Sequence, residues 1–168
     1  MTGKNQNIIY FWRPIDQYGA FSNWSPHSYV DEEGNTILTS ETGLMYAKWK
    51  LFDPTNMKLK QKILESTDSA IIKKLGRQVK NFDQKIWDQN KFYIMIDILK
   101  LKFYQNQELK TLLLSTGDSI LVEASSYDNI WGIGLNEYDA KRTNMNDWPG
   151  KNLLGKALMS VRDFIRLS

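Results

Sequence analysis

Cysteine is absent from the 168-residue sequence, and histidine occurs once, as His27. The first absence excludes a thiolate nucleophile, a disulfide framework and a Cys-ligated zinc or iron-sulfur centre, and it fits a reducing compartment. The second excludes a multi-histidine metal site. A Ser/His/Asp triad would rest on His27 alone, beside Pro26 in a polar stretch that reads as a surface loop. No metal and no cofactor are therefore expected, and any catalysis falls to carboxylates, lysines, tyrosines or backbone groups. Long apolar runs are also missing: none approaches the roughly 20 residues that span a bilayer, and polar Met1–Asn7 has no apolar signal core. A soluble, cytoplasmic chain without a membrane partner is expected. Neither charge dominates, with 22 Lys and Arg against 19 Asp and Glu and a net charge of +3. Without a polybasic run, nonspecific duplex binding is not the obvious role, whereas phosphate-bearing small molecules stay open.

The sequence is rich in aromatics, with 6 Trp, 8 Tyr and 7 Phe. There is no internal repeat or low-complexity segment, so residues 1–168 read as one domain able to bury roughly 70% of the surface of its unfolded chain. Ile8–Trp12 reads as a strand, and Tyr29-Val30, a Gly34-containing turn and Thr36–Leu38 as a hairpin. Ser40 is a plausible N-cap for a helix to about Phe52, ended by Asp53-Pro54. Further helices are expected from Pro54 or Thr55, over Asp68–Leu75 with a stop at Gly76, from about Asp83 to Gln105, and over Glu108–Leu114. On the long one, Trp87, Ile94, Met95, Ile98 and Leu101 make one stripe and Phe92, Ile96, Leu99 and Phe103 a second, which predicts a helix buried on two sides. Ile120–Ala124 reads as a strand, Ser125–Asn129 as a turn and Ile130–Leu135 as an extended piece. Asn136–Gly150 reads as a loop. Asn152–Arg166 closes the chain as a helix with Leu154, Ala157, Leu158, Val161 and Ile165 on one face. The expected class is mainly α, an α+β fold with short β-hairpin elements.

Three segments carry residues suited to chemistry. In Gly19–Pro26, Asn23 lies among aromatics, where its amide either reads a sugar hydroxyl or base edge or forms an Asx-turn. On the first helix, Glu41 and Lys48 are seven residues apart. They return to nearly one face about 10.5 Å apart, able to flank a ligand, although a first-turn acid is also favoured by the helix dipole. In Leu121–Leu135, Asp128, Trp131, Gly132 and Gly134 combine a carboxylate, a stacking face and permissive backbone; the alternative is a hairpin with a core tryptophan. Gly132-x-Gly134 is no dinucleotide fingerprint, because no third glycine opens a helix.

These segments belong to an ordered series: Phe21-Ser22-Asn23, Glu41 with Lys48, Leu75-Gly76-Arg77, Trp87, Lys102-Phe103 with Gln105-Asn106, Leu113–Gly117, Leu121–Ala124, Asp128 with Trp131–Gly134, and Asn152–Gly155 with Leu158-Met159 and Arg162. From about Tyr10 to Ile165 the series resembles the NADAR family, the YbiA-like or riboflavin-biosynthesis-intermediate N-glycosidases. The resemblance implies a YbiA-like fold and a hydrolase of the C1–N bond of a ribosylated, phosphate-bearing heterocycle. That substrate would be a phosphoribosylamino-pyrimidine of riboflavin synthesis, or alternatively ADP-ribosylated guanine in nucleic acid. A non-catalytic ADP-ribose or NAD-binding module is the further alternative.

It also implies Glu41, Lys48 and Asp128 as catalytic residues, acting either by water activation or through a Lys48 Schiff base with Glu41 shuttling protons. Asn23, Arg77, Trp87, Trp131, Gly132 and Asn152 would contact substrate: Arg77 as a phosphate clamp, Trp131 and Trp87 by stacking, and Asn152 at the pocket unless it caps the last helix. Trp87 is equally suited to the core of the long helix, and Glu123 would stand behind the site. The chain departs from the family at Gly43, where an aromatic is common, and at Trp49, where a small residue is common. Both departures, and the polar loop from Asn136 to Trp148, bear on substrate shape.

Overall fold

The computed structural model describes residues 6–168, so most of the polar Met1–Asn7 segment lies outside the described residues. Along the chain the elements are β1 (Ile8–Phe11), β2 (Tyr29–Val30), β3 (Thr36–Ile37), α1 (Ser40–Phe52), α2 (Met57–Glu65), α3 (Ser69–Gly76), α4 (Gln84–Gln105), α5 (Gln107–Ser115), β4 (Ile120–Glu123), α6 (Glu137–Ala140) and α7 (Leu153–Leu167). The fold is α+β and mainly helical, as the patterning predicts. Two compact units divide the chain: residues 23–106, and residues 1–22 with 107–168.

In the 23–106 unit the helix starts follow side-chain caps. Asn56 receives Leu59 N, Asp68 receives Ala70 and Ile71 N, and Asp83 receives Ile86 N. The cap of α1 is Thr39, whose hydroxyl accepts from Thr42 N; Ser40, expected as the cap, is the first helical residue and fully buried. The predicted hairpin is the antiparallel pair β2–β3, its turn held by Asp31 accepting from the amides of Glu33 and Asn35. α1 packs against α2, α3, α4 and β3 and is buried almost all round from Ser40 to Tyr46. Gly76 eases its approach to α3, because a Cβ there would displace the Met45 side chain. α4 buries one stripe, Trp87, Lys91, Met95, Ile98, Leu99, Lys102 and Phe103, rather than the two expected. Phe92, Ile94, Ile96 and Leu101 are only half-buried, and Tyr93 is exposed.

In the other unit β1 and β4 pair in parallel, Ile8 opposite Ile120 and Phe11 opposite Glu123. Leu121 and Val122 are both fully buried, so successive residues of β4 are covered on both sides. α7 packs on β4 through the predicted Leu154, Ala157, Leu158, Val161 and Ile165 face. Gly155 permits that approach: a Cβ there would sit 2.1 Å from the Leu121 carbonyl oxygen. Arg162 Nη1, buried, reaches Thr116 Oγ1 at 2.9 Å and the Ser119 carbonyl at 2.8 Å, tying α7 to the turn after α5. Ile130–Leu135, read as an extended piece, forms no strand, so the hairpin alternative for 121–135 is not met. The supposed loop 136–150 contains α6, capped by Asn136 accepting from Asp139 N, and a 3-10 turn at Met145–Asp147. Among the described residues no helix is long and apolar enough to cross a membrane.

Candidate active site

In the 23–106 unit the structure groups Asn23, Glu41, Lys48, Arg77 and Trp87 around the α1 face predicted from the seven-residue spacing. Glu41, in the first turn of α1, is 6% exposed, and its amide donates to the Asn23 carbonyl at 2.9 Å. Asn23 is itself buried, and its Oδ1 has no hydrogen-bond partner among the described residues. An unmet buried acceptor costs about 1–3 kcal/mol, a cost that a donor on a bound ligand would offset.

Lys48 is half-buried, its ammonium 4.3 Å from the centroid of the Phe82 ring and 5.7 Å from that of Trp87. Burial pushes its pKa down, the Glu41 carboxylate works against that shift, and the Arg77 guanidinium adds to it. Phe82 is held edge-on to Phe52 at 5.2 Å, and Asp53 Oδ2 accepts from Lys80 N, which anchors the segment after α3. Trp87 is 7% exposed and tilted against Phe52 and Phe82. This ring walls Lys48 and also packs the core, the two settings that the sequence left open for it. Arg77 ends α3, with its amide bonded to the carbonyls of Lys73 and Lys74 and its side chain exposed. It forms no ion pair with a carboxylate among the described residues.

Two neighbouring residues were not among the expected site residues. Phe82 lies in a non-helical stretch where no periodicity marks it. Lys102 is fully buried on α4 and donates to Ser25 Oγ at 2.8 Å, two residues from Asn23. Its signal was a lysine in the middle of an apolar stripe. Burial brings the Lys102 pKa to about 7, so the folded state releases a proton that the unfolded chain keeps up to about 10.5. Between these values the unfolded state binds more protons, and stability therefore rises with pH. The melting temperature of the wild type is expected to climb from pH 7 toward pH 9 relative to Lys102→Met, measured by paired thermal scans.

In the other unit Asp128, Trp131, Gly132 and Asn152 share one loop system beside β4. Asp128 Oδ1 accepts from the amides of Ile130 and Trp131, both at 2.9 Å, and its carbonyl accepts from Gly134 N at 3.1 Å. One carboxylate oxygen is thus spent on shaping the loop that presents Trp131, whose side chain is partly exposed. Gly132 is required by packing, since a Cβ would stand 2.8 Å from the Asp128 carbonyl oxygen. Asn152, left-handed at φ 53°, precedes α7 without capping it. Its amide instead bridges β4, accepting from Glu123 N at 3.0 Å and donating to the Leu121 carbonyl at 2.9 Å. Both ends of the side chain are thus engaged in the scaffold.

A buried carboxylate and a half-buried lysine seven residues apart on one helix, in an α+β fold without cysteine, are groups suited to acid-base or amine-nucleophile chemistry. The sequence model of the NADAR domain matches residues 10–166. An N-glycosidase of Acanthamoeba polyphaga mimivirus is 44% identical over 147 residues, covering 85% of each chain. A chloroplastic riboflavin biosynthesis protein of Zea mays, PYRR, is 33% identical over 95% of this chain and 25% of its own length. The solution structure of the Escherichia coli protein YbiA superposes with a TM-score of 0.77 at 30% identity, covering 96% of this chain and 86% of that one. The chain belongs to the NADAR family, with a YbiA-like fold. Its enzyme class is that of the N-glycosidases, hydrolases acting on N-glycosyl bonds.

Proposed function

We propose that the chain cleaves the C1–N bond of a ribosylated, phosphate-bearing heterocycle, a phosphoribosylamino-pyrimidine of riboflavin synthesis in a cytoplasmic setting. The observation that carries this reading is the Glu41–Lys48 pair: a buried carboxylate on the same face of α1 as an amine whose pKa is lowered by burial. The match to a riboflavin biosynthesis protein supports the substrate class.

In this mechanism Lys48 Nζ attacks C1 as the neutral amine. The C1–N bond to the heterocycle breaks, and the departing amine takes a proton relayed by Glu41. The sugar ring opens to a Lys48 Schiff base, water adds to C1, and Lys48 leaves, so the net change is addition of water across the C1–N bond. Desolvation raises the neutral fraction of Lys48 at a given pH, and Phe82 and Trp87 fix the position of its head group. Asn23 Oδ1 accepts a hydrogen bond from a sugar hydroxyl or the base. Arg77 grips the phosphate through two parallel N–H donors. In the other unit, Asp128 Oδ1 shapes the loop that carries Trp131.

The Arg77 role predicts that Arg77→Met raises KM for the phosphorylated substrate by about tenfold to a hundredfold, the worth of a charge-assisted contact, and leaves KM for the dephosphorylated ribosyl analogue unchanged. Steady-state kinetics on the two substrates check it. The substrate class is tested by incubating the protein in parallel with phosphoribosylamino-pyrimidine and with an oligonucleotide carrying ADP-ribosylated guanine. Faster base release from the pyrimidine is expected. Release from the oligonucleotide alone would replace this reading with reversal of nucleic-acid modification. Tight ADP-ribose binding with release from neither would replace it with a binding module.

A further inference from the structure

α1 has a second face. At about 100° per residue, Gly43, Tyr46, Ala47 and Lys50 project together, roughly opposite Glu41 and Lys48. On that side a cavity of about 400 Å³ lies between α1, α4 and the β2–β3 hairpin, and neither Glu41 nor Lys48 lines it. Its volume is within the range of small-molecule sites.

The floor is apolar, from Ile94, Ile98 and Leu101 on α4. The rim is acidic: Asp31, Glu32, Glu33 and Asp97 stand against Lys50 and Lys100. Lys50 is bound in an ion pair with Glu33, and Asp31 holds the hairpin turn. Glu32 and Asp97 make no ion pair or side-chain hydrogen bond among the described residues, so four carboxylates face two lysines, of which Lys50 is already paired with Glu33.

A second, independent feature lies inside. Tyr29 is 3% exposed, lines the cavity, and places its hydroxyl against Gly43, where a Cβ would come within 2.1 Å of it. That hydroxyl has no hydrogen-bond partner among the described residues. Burial, reinforced by Asp31, raises its pKa, so the phenol stays protonated and able to donate or accept. A phenol on a cavity wall is free to donate to or accept from a ligand there. A ligand with an ammonium head for the rim, an apolar body for the floor and a polar atom at its inner end meets all three features.

We propose that this cavity is a binding site for an arylalkylamine, with the ammonium between Glu32 and Asp97, the ring over Ile94, Ile98 and Leu101, and a ring heteroatom hydrogen-bonded to the Tyr29 hydroxyl. The site is independent of the glycosidase reading, since binding is measured without turnover. The probe is tryptamine, titrated calorimetrically into the full chain at pH 7, with tryptophol as the neutral analogue and indole-3-acetate as the anion. Saturable binding of tryptamine is expected, with tryptophol and indole-3-acetate weaker by about tenfold or more. Asp97→Asn and Glu32→Gln, both at exposed positions, are each expected to weaken tryptamine about threefold to tenfold, and Tyr29→Phe by a similar factor. Equal affinity for tryptamine and tryptophol would overturn the proposal. So would unchanged tryptamine affinity in the Glu32→Gln, Asp97→Asn double variant, or the lack of saturable tryptamine binding.

Discussion

Glu41→Gln is expected to lower kcat for base release by about 10² to 10⁴-fold, the range supplied by a positioned proton donor and acceptor. The glutamine keeps the shape of the buried side chain, and the amide of residue 41 still donates to the Asn23 carbonyl, so the melting temperature should move little. The contrast between lost turnover and retained fold separates proton transfer from packing, because a side chain with 6% exposure could otherwise serve the core alone. KM should change far less than kcat, since the exchange removes a titrating group and not volume. A variant with full activity would assign the proton relay elsewhere.

Lys48→Arg is expected to be at least as damaging, on the order of a thousandfold or more, because a guanidinium keeps the charge yet cannot form a Schiff base. Borohydride added during wild-type turnover should reduce the imine to a secondary amine and leave the sugar phosphate covalently attached at Lys48, visible as an added mass on the peptide. The lowered pKa sets the sign of the pH dependence. Activity should rise with pH as the ammonium deprotonates and level off below the ordinary lysine value of 10.5. An active Lys48→Arg enzyme without a trapped adduct would support direct attack by water activated by a carboxylate.

Local signals carried much of this structure. Asp68 and Asp83 are each followed by an apolar periodic run, and each caps a helix where the pattern places one. The Tyr29–Ile37 hairpin follows from its Gly-containing turn. The seven-residue spacing of Glu41 and Lys48 puts both on one face of α1. What local pattern could not carry is partnership at a distance. The parallel pairing of β1 with β4 joins residues 112 apart, Ile8 with Ile120, and neither strand names its mate. Asn152 looks like a helix cap in sequence, but its amide is drawn to the β4 backbone by tertiary packing. Trp87 sits on an apolar stripe that fits both core and stacking surface, and its contacts with the distant rings of Phe52 and Phe82 could not be read from that stripe. The short helix α6 was legible after all, since Asn136 and Asp139 have the spacing of an N-cap and its third residue.

The central claim is scission of a ribosyl C1–N bond by the Glu41–Lys48 pair. It is tested most directly by mass spectrometry of the products formed from phosphoribosylamino-pyrimidine by the wild type and by Glu41→Gln. Intact aminopyrimidine and ribose 5-phosphate in equal amounts, with both nearly absent for the variant, are the predicted result. Free phosphate, a cleaved pyrimidine ring, or products undiminished in the variant would contradict the account.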